Sequence, residues 1–271
     1  EAAASLGAQI EASGSDGSAF LALDALTGEP LAPSLDLFAD IVLQPALGSA
    51  EFTRVQAETI AAIDEATAEP LDGAQRLFLA QMFGADHPYG TPAIGSRASV
   101  AALTRGDAKK IYKTWYHAGN AAFVVTGAIT EAEAKSLLEA RFGSWKVGSS
   151  VRPAQSPAAA PLKTRVVFLE QAGAVQSVLR VGTSGVTRGS PEYFPATMAG
   201  TIVGGMFSSR INLNLREEHG WSYGACAGCT DSRDAGRFAA RTSVQADKTA
   251  PAVQEILKEL DPNIDGPRDT P

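Results

Sequence analysis

Arg216 and Tyr223 are the two residues whose types and spacing best suit chemistry. They lie in the stretch 204-GGMFSSRINLNLREEHGWSYGACAG-228, on either side of Gly220. A guanidinium group is a fixed fork of charged donors, and a phenol adds one further donor. Together the two groups can hold a carbonyl oxygen and the oxyanion that develops on it when it is attacked.

The elements around this pair are expected to form a helix-to-strand corner. Ser208 or Ser209 can cap a helix that runs to about His219. Gly220 suits the left-handed position that follows a helix, and residues 221–224 then continue as a strand. Such a corner would bring the guanidinium and the phenol around one turn of the chain.

A purely structural interpretation of the pair is also open. Arg216 would then pair with Glu217, Glu218 or another neighbouring acid, and Tyr223 would be a half-buried strand residue. The spacing by itself is compatible with both interpretations.

Three other patterns are weaker candidates for chemistry. Cys226 and Cys229 have CxxC spacing, but a structural zinc site needs a second such pair, and a redox thiolate is stabilised at a helix N-terminus rather than in a strand. His87 and His117 are single histidines, a type that is usually hydrogen-bonded in a turn or at the surface. The glycine pair 204–205 lacks a following Lys-Ser/Thr and is interpreted as a tight turn.

Composition and charge exclude several classes of partner. The chain has 271 residues, a formal net charge of −7 and no Lys/Arg run that could follow a phosphate backbone or an anionic lipid surface. No apolar run is long enough to span a membrane. We therefore expect no nucleic-acid and no membrane partner, while the periplasm and the cytoplasm both remain open as compartments.

The first half of the chain predicts a hairpin, then helices, then a strand and a last helix. Two short strands, 8–13 and 19–25, flank a Gly-Ser-Asp-Gly turn. Helical periodicity and breakers predict five helices: 34–43, 49–66, 71–83, 104–115 and 130–140. The fourth of these opens at either Thr104 or Asp107. The last of these opens with a Thr-x-x-Glu capping box. Residues 121–126 predict a strand.

A Ser/Pro/Ala-rich stretch at 147–162 predicts a linker between two domains, 1–146 and 163–271. The second half predicts strands and helices in a similar order: strands 165–171 and 175–183, helix 191–203, the corner, strands 222–230 and 236–244, and helix 250–260. The expected fold class is α+β, with two similar domains that each have an antiparallel-rich sheet and helices on one face. Because the chain lacks an initiator Met and ends soon after a helix, both domains are expected to be incomplete at the chain ends.

Four segments resemble the insulinase-type (pitrilysin, mitochondrial processing peptidase) zinc metallopeptidases of the M16 family. They are 84-GADHPYGTPAIGS-96, 101-AALTRGDAKKIYKTWYHAGNAAFVVTGAIT-130, 142-FGSWK-146 and 204-GGMFSSRINLNLREEHGWSYGA-225. The resemblance covers nearly the whole chain in the family's order, and its last segment is the most specific. It implies paired α+β domains, with two such pairs facing each other around an unfolded peptide.

The family's zinc site is a His-x-x-Glu-His motif completed by a distal glutamate. The chain has three histidines, none with that spacing, and in the family's register the motif would fall before Glu1. The distal glutamate corresponds to Ala62, which cannot coordinate zinc. A slip of a few residues would bring one of three neighbouring carboxylates to that position: Glu58, Asp64 or Glu65. The resemblance therefore implies no metal site and no cofactor in this chain, with zinc in a partner half.

What the resemblance implies about function is a non-catalytic half of a metalloendopeptidase. The arginine and tyrosine that match Arg216 and Tyr223 lie opposite the zinc in the family and contact the substrate, a peptide or unfolded polypeptide. The partner would be a zinc-bearing half, in the same longer chain or in a separate subunit, and this chain alone would be inactive.

The alternative is a non-enzymatic assembly or peptide-binding subunit on the same fold, as the family's respiratory-complex core subunits are. The presence of both Arg216 and Tyr223 favours the enzyme component, because a purely structural subunit has no chemical need for them.

Overall fold

Capping residues set the ends of several helices in the computed structural model, which describes residues 1–15, 17–84, 87–148 and 164–261. The Thr130 hydroxyl accepts a hydrogen bond from the Glu133 N–H, and the Glu133 carboxylate accepts one from the Thr130 N–H, so the predicted capping box is confirmed. Thr104 and Asp107 form a second such box. Each box satisfies backbone donors that a helix N-terminus leaves unpaired.

The elements of the first half of the chain are α1 (Ala2–Ser5), β1 (Gln9–Gly14), β2 (Ala19–Asp24), α2 (Leu31–Leu43), α3 (Ser49–Ala68), α4 (Pro70–Phe83), α5 (Arg97–Ala102), α6 (Arg105–Trp115) and α7 (Glu131–Phe142). The second half contains β3 (Gln176–Gly185), α8 (Tyr193–Gly200), α9 (Arg210–Asn212), β4 (Ser222–Asp231), β5 (Gly236–Gln245) and α10 (Thr249–Leu260). Two π-helical segments follow α8 and α9 directly: Thr201–Gly205 and Leu213–Glu218. The α+β fold class is confirmed.

The described residues pack as two units, each with its own core. One unit comprises residues 1–15, 17–64 and 93–148, and the other comprises 65–84, 87–92 and 164–261. The predicted linker lies almost entirely outside the described residues, as does the chain after residue 261. The domain boundary and the internal likeness of the two halves therefore stay predictions.

The core of the first unit lies between the β1–β2 hairpin, α2 and α7. β1 and β2 pair antiparallel from Gln9 with Asp24 to Gly14 with Ala19. The buried side chains of this core are Phe38, Ala39, Val42 and Phe142.

The core of the second unit lies between its sheet and the helices α9 and α10. The sheet is antiparallel with the order β3-β5-β4, so β5 is the central strand. The most buried apolar residues are Ile211 and Leu215 from the helical segment, Val244 from β5, and Ala252 and Ile256 from α10. α9 and α10 thus cover the face that contains Val244. We call the opposite face of this sheet the outer face; α4 contacts it at β3, where the Phe78 ring lies beside Gly182.

Two predicted strands do not form within the described residues. Residues 121–126 and 165–171 do not pair with any strand in the described part of the chain, and Val124 and Val166 are 89% and 91% exposed. Apolar, β-prone composition favours a strand, but a strand is stable only when a neighbour satisfies its backbone groups. Both segments have a composition that favours a strand, but neither has a neighbouring strand to pair with in the described part of the chain.

The helix predicted at 191–203 forms only in part. α8 ends at Gly200, and the chain continues as the π-helical turn Thr201–Gly205. The reason is packing against β4: a Cβ at Gly204 would lie 2.1 Å from the Ala227 backbone nitrogen. The close approach of the helix to the strand therefore requires glycine at this position.

Candidate functional site

Arg216 lies on the π-helical segment Leu213–Glu218, with about one third of its side chain exposed, and it is in contact on two sides. Its guanidinium carbon is 4.3 Å from the centroid of the Phe207 ring, which is a cation–π contact. Its Nε is 3.5 Å from the Glu217 carboxylate. The acid pairing foreseen in the structural interpretation is thus present, and the aromatic contact comes in addition to it.

Gly220 makes the corner after this helical segment. Its φ is +64°, in the left-handed region that glycine adopts without steric cost, as predicted. The Gly220 N–H donates to the Arg216 carbonyl oxygen at 3.1 Å, and the Trp221 N–H donates to the Leu215 carbonyl oxygen at 3.0 Å. These bonds satisfy carbonyl groups that the helix end would otherwise leave unpaired.

The predicted serine cap is wrong. Ser209 occupies the N-cap position of α9, but its side chain makes no capping bond, and its buried hydroxyl has no partner among the described residues. Asn212 holds the segment instead. Its amide nitrogen donates to the Phe207 carbonyl oxygen at 2.6 Å, and its amide oxygen accepts from the Ala225 N–H at 2.9 Å. One side chain therefore joins the loop before the helix to β4.

Tyr223 stands on a β-bulge and points away from the core. The register of β4 against β5 shifts between Ser222 and Ala225, and Tyr223 is 92% exposed. Bulges re-aim side chains at the ends of paired strands. The half-buried tyrosine of the structural interpretation is therefore not observed.

Hydroxyl groups of two neighbouring strands fix the bulge. The Ser222 and Thr242 hydroxyl oxygens are 2.7 Å apart, and the Thr242 hydroxyl donates to the Gly224 carbonyl oxygen at 3.0 Å. The Ser222 oxygen also accepts from the Gly224 N–H at 3.0 Å. The backbone on either side of Tyr223 is thereby held in place while its phenol stays in solvent.

Arg216 and Tyr223 do not touch each other. Within residues 1–148 and 164–261 as described, no hydrogen bond or ring contact joins them, and the Tyr223 hydroxyl makes no hydrogen bond. They stand on the two arms of one helix-to-strand corner, whose backbone Gly220 and Asn212 fix. The corner can present one charged and one neutral donor to a ligand oxygen.

A buried polar group behind the corner was not foreseen from sequence. Glu259 of α10 is 3% exposed; its carboxylate accepts from Arg210 Nε at 3.0 Å and from the Asn214 amide at 3.0 Å. The Asn214 amide also donates to Glu255 at 2.8 Å, and this bond lowers the pKa of Glu255. Two asparagines inside an apolar helical stretch, at 212 and 214, were the available signal, since asparagine is a poor interior helix former.

The residues of this chain do not fit the family's zinc site. Among the described residues, no group of three His, Cys, Asp or Glu side chains could hold a metal ion. Ala62 is exposed on α3. Two of its neighbouring carboxylates are used in ion pairs: Glu58 with Arg54 at 2.8 Å, and Asp64 with Arg97.

The cysteines and the single histidines do not form a metal site among the described residues. Cys226 and Cys229 are three residues apart on one strand and therefore lie on opposite faces, so they cannot share a metal. His87 accepts a hydrogen bond from the Tyr89 N–H at 3.1 Å, as a turn histidine should. His117 contradicts its prediction, because it is buried and neither ring nitrogen has a hydrogen-bond partner in the described part of the chain.

No described helix is both long and apolar enough to cross a membrane.

One protein family and several curated proteins match this chain in sequence. The family model described as "Peptidase M16 inactive domain" matches residues 102–264. A protein from Mycobacterium leprae, named as an uncharacterised zinc protease, is 28% identical over 231 residues, which are 84% of this chain and 51% of that protein. The chain thus spans about half the length of the curated relatives it matches.

Solved structures share the fold. A peptidase M16 inactive domain from Pseudomonas fluorescens superposes with a TM-score of 0.89 at 23% identity, over 98% of this chain and 65% of that one. A protease from Helicobacter pylori superposes with a TM-score of 0.81 at 19% identity, over 95% of this chain and 63% of that one.

Proposed function

The chain belongs to the M16 peptidase family, which it matches through that family's inactive domain, and we propose that it is part of the half of a zinc metalloendopeptidase that lacks His-x-x-Glu-His. In this proposal the chain contributes chamber wall and the substrate contacts of Arg216 and Tyr223. A second, zinc-bearing half performs the hydrolysis. The substrate is a peptide or an unfolded polypeptide.

The observation that carries the proposal is the exposed phenol of Tyr223 on a fixed bulge. A large side chain that is 92% exposed gains little from burial, so its position is not explained by packing. The Ser222–Thr242 hydroxyl pair nevertheless holds the backbone beside it. A fixed donor is what a developing oxyanion needs, because no reorganisation is then required at the moment of reaction.

Arg216 supports the same interpretation with a different role. Its guanidinium has five N–H donors, and the contacts with the Phe207 ring and with Glu217 leave some of them for a ligand. A peptide carbonyl or an extended peptide backbone offers acceptors for these donors. Arg216 would therefore bind the substrate in the ground state as well as in the transition state.

The test is steady-state kinetics of the reconstituted peptidase with both halves present. Tyr223→Phe should lower kcat on the order of 100-fold with KM little changed, since one oxyanion donor is lost. Arg216→Ala should lower kcat further and also raise KM, because a charged donor disappears from the substrate site.

The matched control is Tyr193→Phe, which removes a phenol hydroxyl from the same unit. The Tyr193 ring contacts the Arg188 guanidinium at 4.2 Å through its face, so the hydroxyl is dispensable for that contact. Full activity of Tyr223→Phe and Arg216→Ala, together with a lowered Tm, would reject the proposal and favour a non-enzymatic assembly subunit.

A further inference from the structure

Two arginines and a cysteine form one row across the outer face of the three-stranded sheet. Arg180 of β3 lies directly opposite Arg241 of β5, and Arg241 lies directly opposite Cys226 of β4. The residues on either side of each belong to the buried face or to its edge: Leu179, Val181, Ala240, Thr242, Ala225 and Ala227. Since side chains alternate along a strand, the row points away from the core. Arg237, two strand repeats before Arg241 on β5, lies on the same face.

No carboxylate among the described residues balances the charge of this row. Like charges placed directly opposite each other in a sheet are destabilising. The charged or polar groups that act on Arg180 are Arg241, Arg237 and the Cys226 thiol, and burial together with Arg241 lowers the pKa of Arg180. No carboxylate lies within ion-pair distance of Arg180 or Arg241 in the described part of the chain.

Seven other arginines of the chain form ion pairs with carboxylates. Carboxylate partners are found for Arg54, Arg76, Arg97, Arg141, Arg210, Arg216 and Arg233. Arg180 and Arg241 have no such carboxylate partner among the described residues, although they lie directly opposite each other and could share one anion.

Guanidinium N–H donors of Arg180 and Arg241 also lack strong hydrogen-bond acceptors among the described residues. Arg180 Nε is buried and has no hydrogen-bond partner among the described residues. Arg241 Nε donates to the Cys226 sulfur at 2.8 Å, and sulfur is a weak acceptor. Leaving a buried charged donor without a partner costs more than leaving a neutral one. An anion with two oxygens would satisfy both guanidinium groups at once.

We propose that Arg180 and Arg241 form a binding site for a carboxylate group of a peptide. The carboxylate would accept hydrogen bonds from both guanidinium groups and would displace Cys226 as the acceptor for Arg241. It can come from an Asp or Glu side chain or from the C-terminus of the peptide. That the ligand is a peptide rests on the proposed function. Tyr223 is also directed away from the core, because the bulge between Ser222 and Ala225 interrupts the side-chain alternation before Cys226, and it therefore connects the two surfaces.

The distance along β4 between Tyr223 and Cys226 predicts the position of the carboxylate in the bound peptide. Cys226 follows Tyr223 by three positions along β4, which is at most roughly 10 Å of extended chain. An extended peptide bound at Tyr223 would therefore bring a carboxylate about three residues away to the arginine row.

The test compares four peptides of equal length on the full protein with both halves, after chelation of metal to stop hydrolysis. They have Glu or Gln three residues from the centre, each with a free or an amidated C-terminus, and binding is measured by fluorescence anisotropy. A peptide with the carboxylate that the row binds should have an affinity about tenfold higher than the Gln peptide with an amidated C-terminus, which has neither carboxylate. Arg180→Gln and Arg241→Gln should each remove this preference, whereas Arg233→Gln, an equal charge change outside the row, should retain it.

The pattern across the peptides identifies the source of the carboxylate. Loss of affinity on Glu→Gln alone assigns a side chain, and loss on amidation alone assigns a C-terminus. An equal affinity of all four peptides for the wild-type protein, or an unchanged preference in both row variants, would overturn the inference. If the two-half protein has peptidase activity but does not prefer peptides with a carboxylate, this inference alone is rejected. If it prefers such peptides but has no peptidase activity, the proposed function alone is rejected.

A second measurement is independent of any peptide. Acetate should raise the Tm of the wild-type protein relative to chloride at equal ionic strength, since it binds the folded row. In Arg241→Gln this difference should vanish. Because Arg241 is exposed, this variant keeps the test valid even if Arg180→Gln fails to fold. Equal acetate effects in the wild type and in Arg241→Gln would contradict the proposal.

Discussion

Buried polar side chains behind the corner decide where Arg216 and Tyr223 stand. Asn212 joins the loop, the helix and β4 through one amide group, and Glu259 joins α10 to the same helical segment. Both are nearly inaccessible to solvent. Buried polar groups are stable only when their hydrogen bonds are made, so each fixes the relative position of the elements that it connects.

Removing the charge of Glu259 should destabilise the second unit strongly. Glu259→Gln leaves Arg210 without its carboxylate in a mostly buried position, and breaking such a pair costs about 3 kcal/mol. Urea denaturation measures this loss. The control is Glu139→Gln, which breaks the exposed contact with Lys135 at 3.8 Å and should change the free energy of unfolding by less than about 1 kcal/mol. Similar losses in both variants would mean that Arg210 is well solvated in the folded state.

At the scale of elements, the corner depends on one backbone conformation. Gly220→Ala places a Cβ in the left-handed region and should destabilise the fold by about 1 kcal/mol. It should also lower the kcat of the reconstituted peptidase, because the strand entry moves relative to the helix end. The matched control is Gly228→Ala in β4, where a Cβ meets no atom within 4 Å. A stable and fully active Gly220→Ala variant would show that the corner tolerates another turn geometry.

The contact of α10 with the helical segment before the corner should weaken in acid. The hydrogen bond from Asn214 lowers the pKa of Glu255 below its ordinary value of 4.5. A carboxyl group whose folded pKa is depressed stabilises the fold above the unfolded pKa, and this stabilisation is lost as the pH falls through the folded pKa. The free energy of unfolding should therefore decrease below about pH 4.5.

Urea unfolding at a series of pH values from 7 to about 3 tests this pH dependence. Glu255→Gln removes the titrating group, so its curve should be flatter in the acid range. Asn214→Ala removes the principal cause of the shift and should also flatten the curve, at lower stability throughout. A curve of unchanged slope in both variants would assign the acid dependence to other carboxylates.

At the scale of the whole molecule, the chain should bind no stoichiometric zinc. The metal motif is absent, Ala62 stands at the distal ligand position, and the carboxylates of Glu58 and Asp64 are engaged by arginines. Metal analysis of the purified chain should find substoichiometric zinc, and of the two-half enzyme one zinc in the partner half. One tightly held zinc in this chain, lost in Glu58→Gln or Glu65→Gln, would overturn the assignment of the metal to the partner.

The sequence by itself determined most of the longer helices, the β1–β2 and β4–β5 hairpins and the family. Capping boxes such as Thr130 with Glu133, breakers such as Pro70 and Gly84, and the left-handed Gly220 act within a few residues, so their signals can be read locally. The stretch that contains Arg216 and Tyr223 was recognisable for the same reason.

Only the tertiary structure decided which segments pair and which polar groups meet. Residues 121–126 and 165–171 have strand composition but no strand neighbour, because pairing depends on residues distant in sequence. The bulge that exposes Tyr223 depends on Thr242, and the row of Arg180, Arg241 and Cys226 exists only in the register of three strands. Contacts across such separations depend on the packing of the whole unit, which no local pattern encodes.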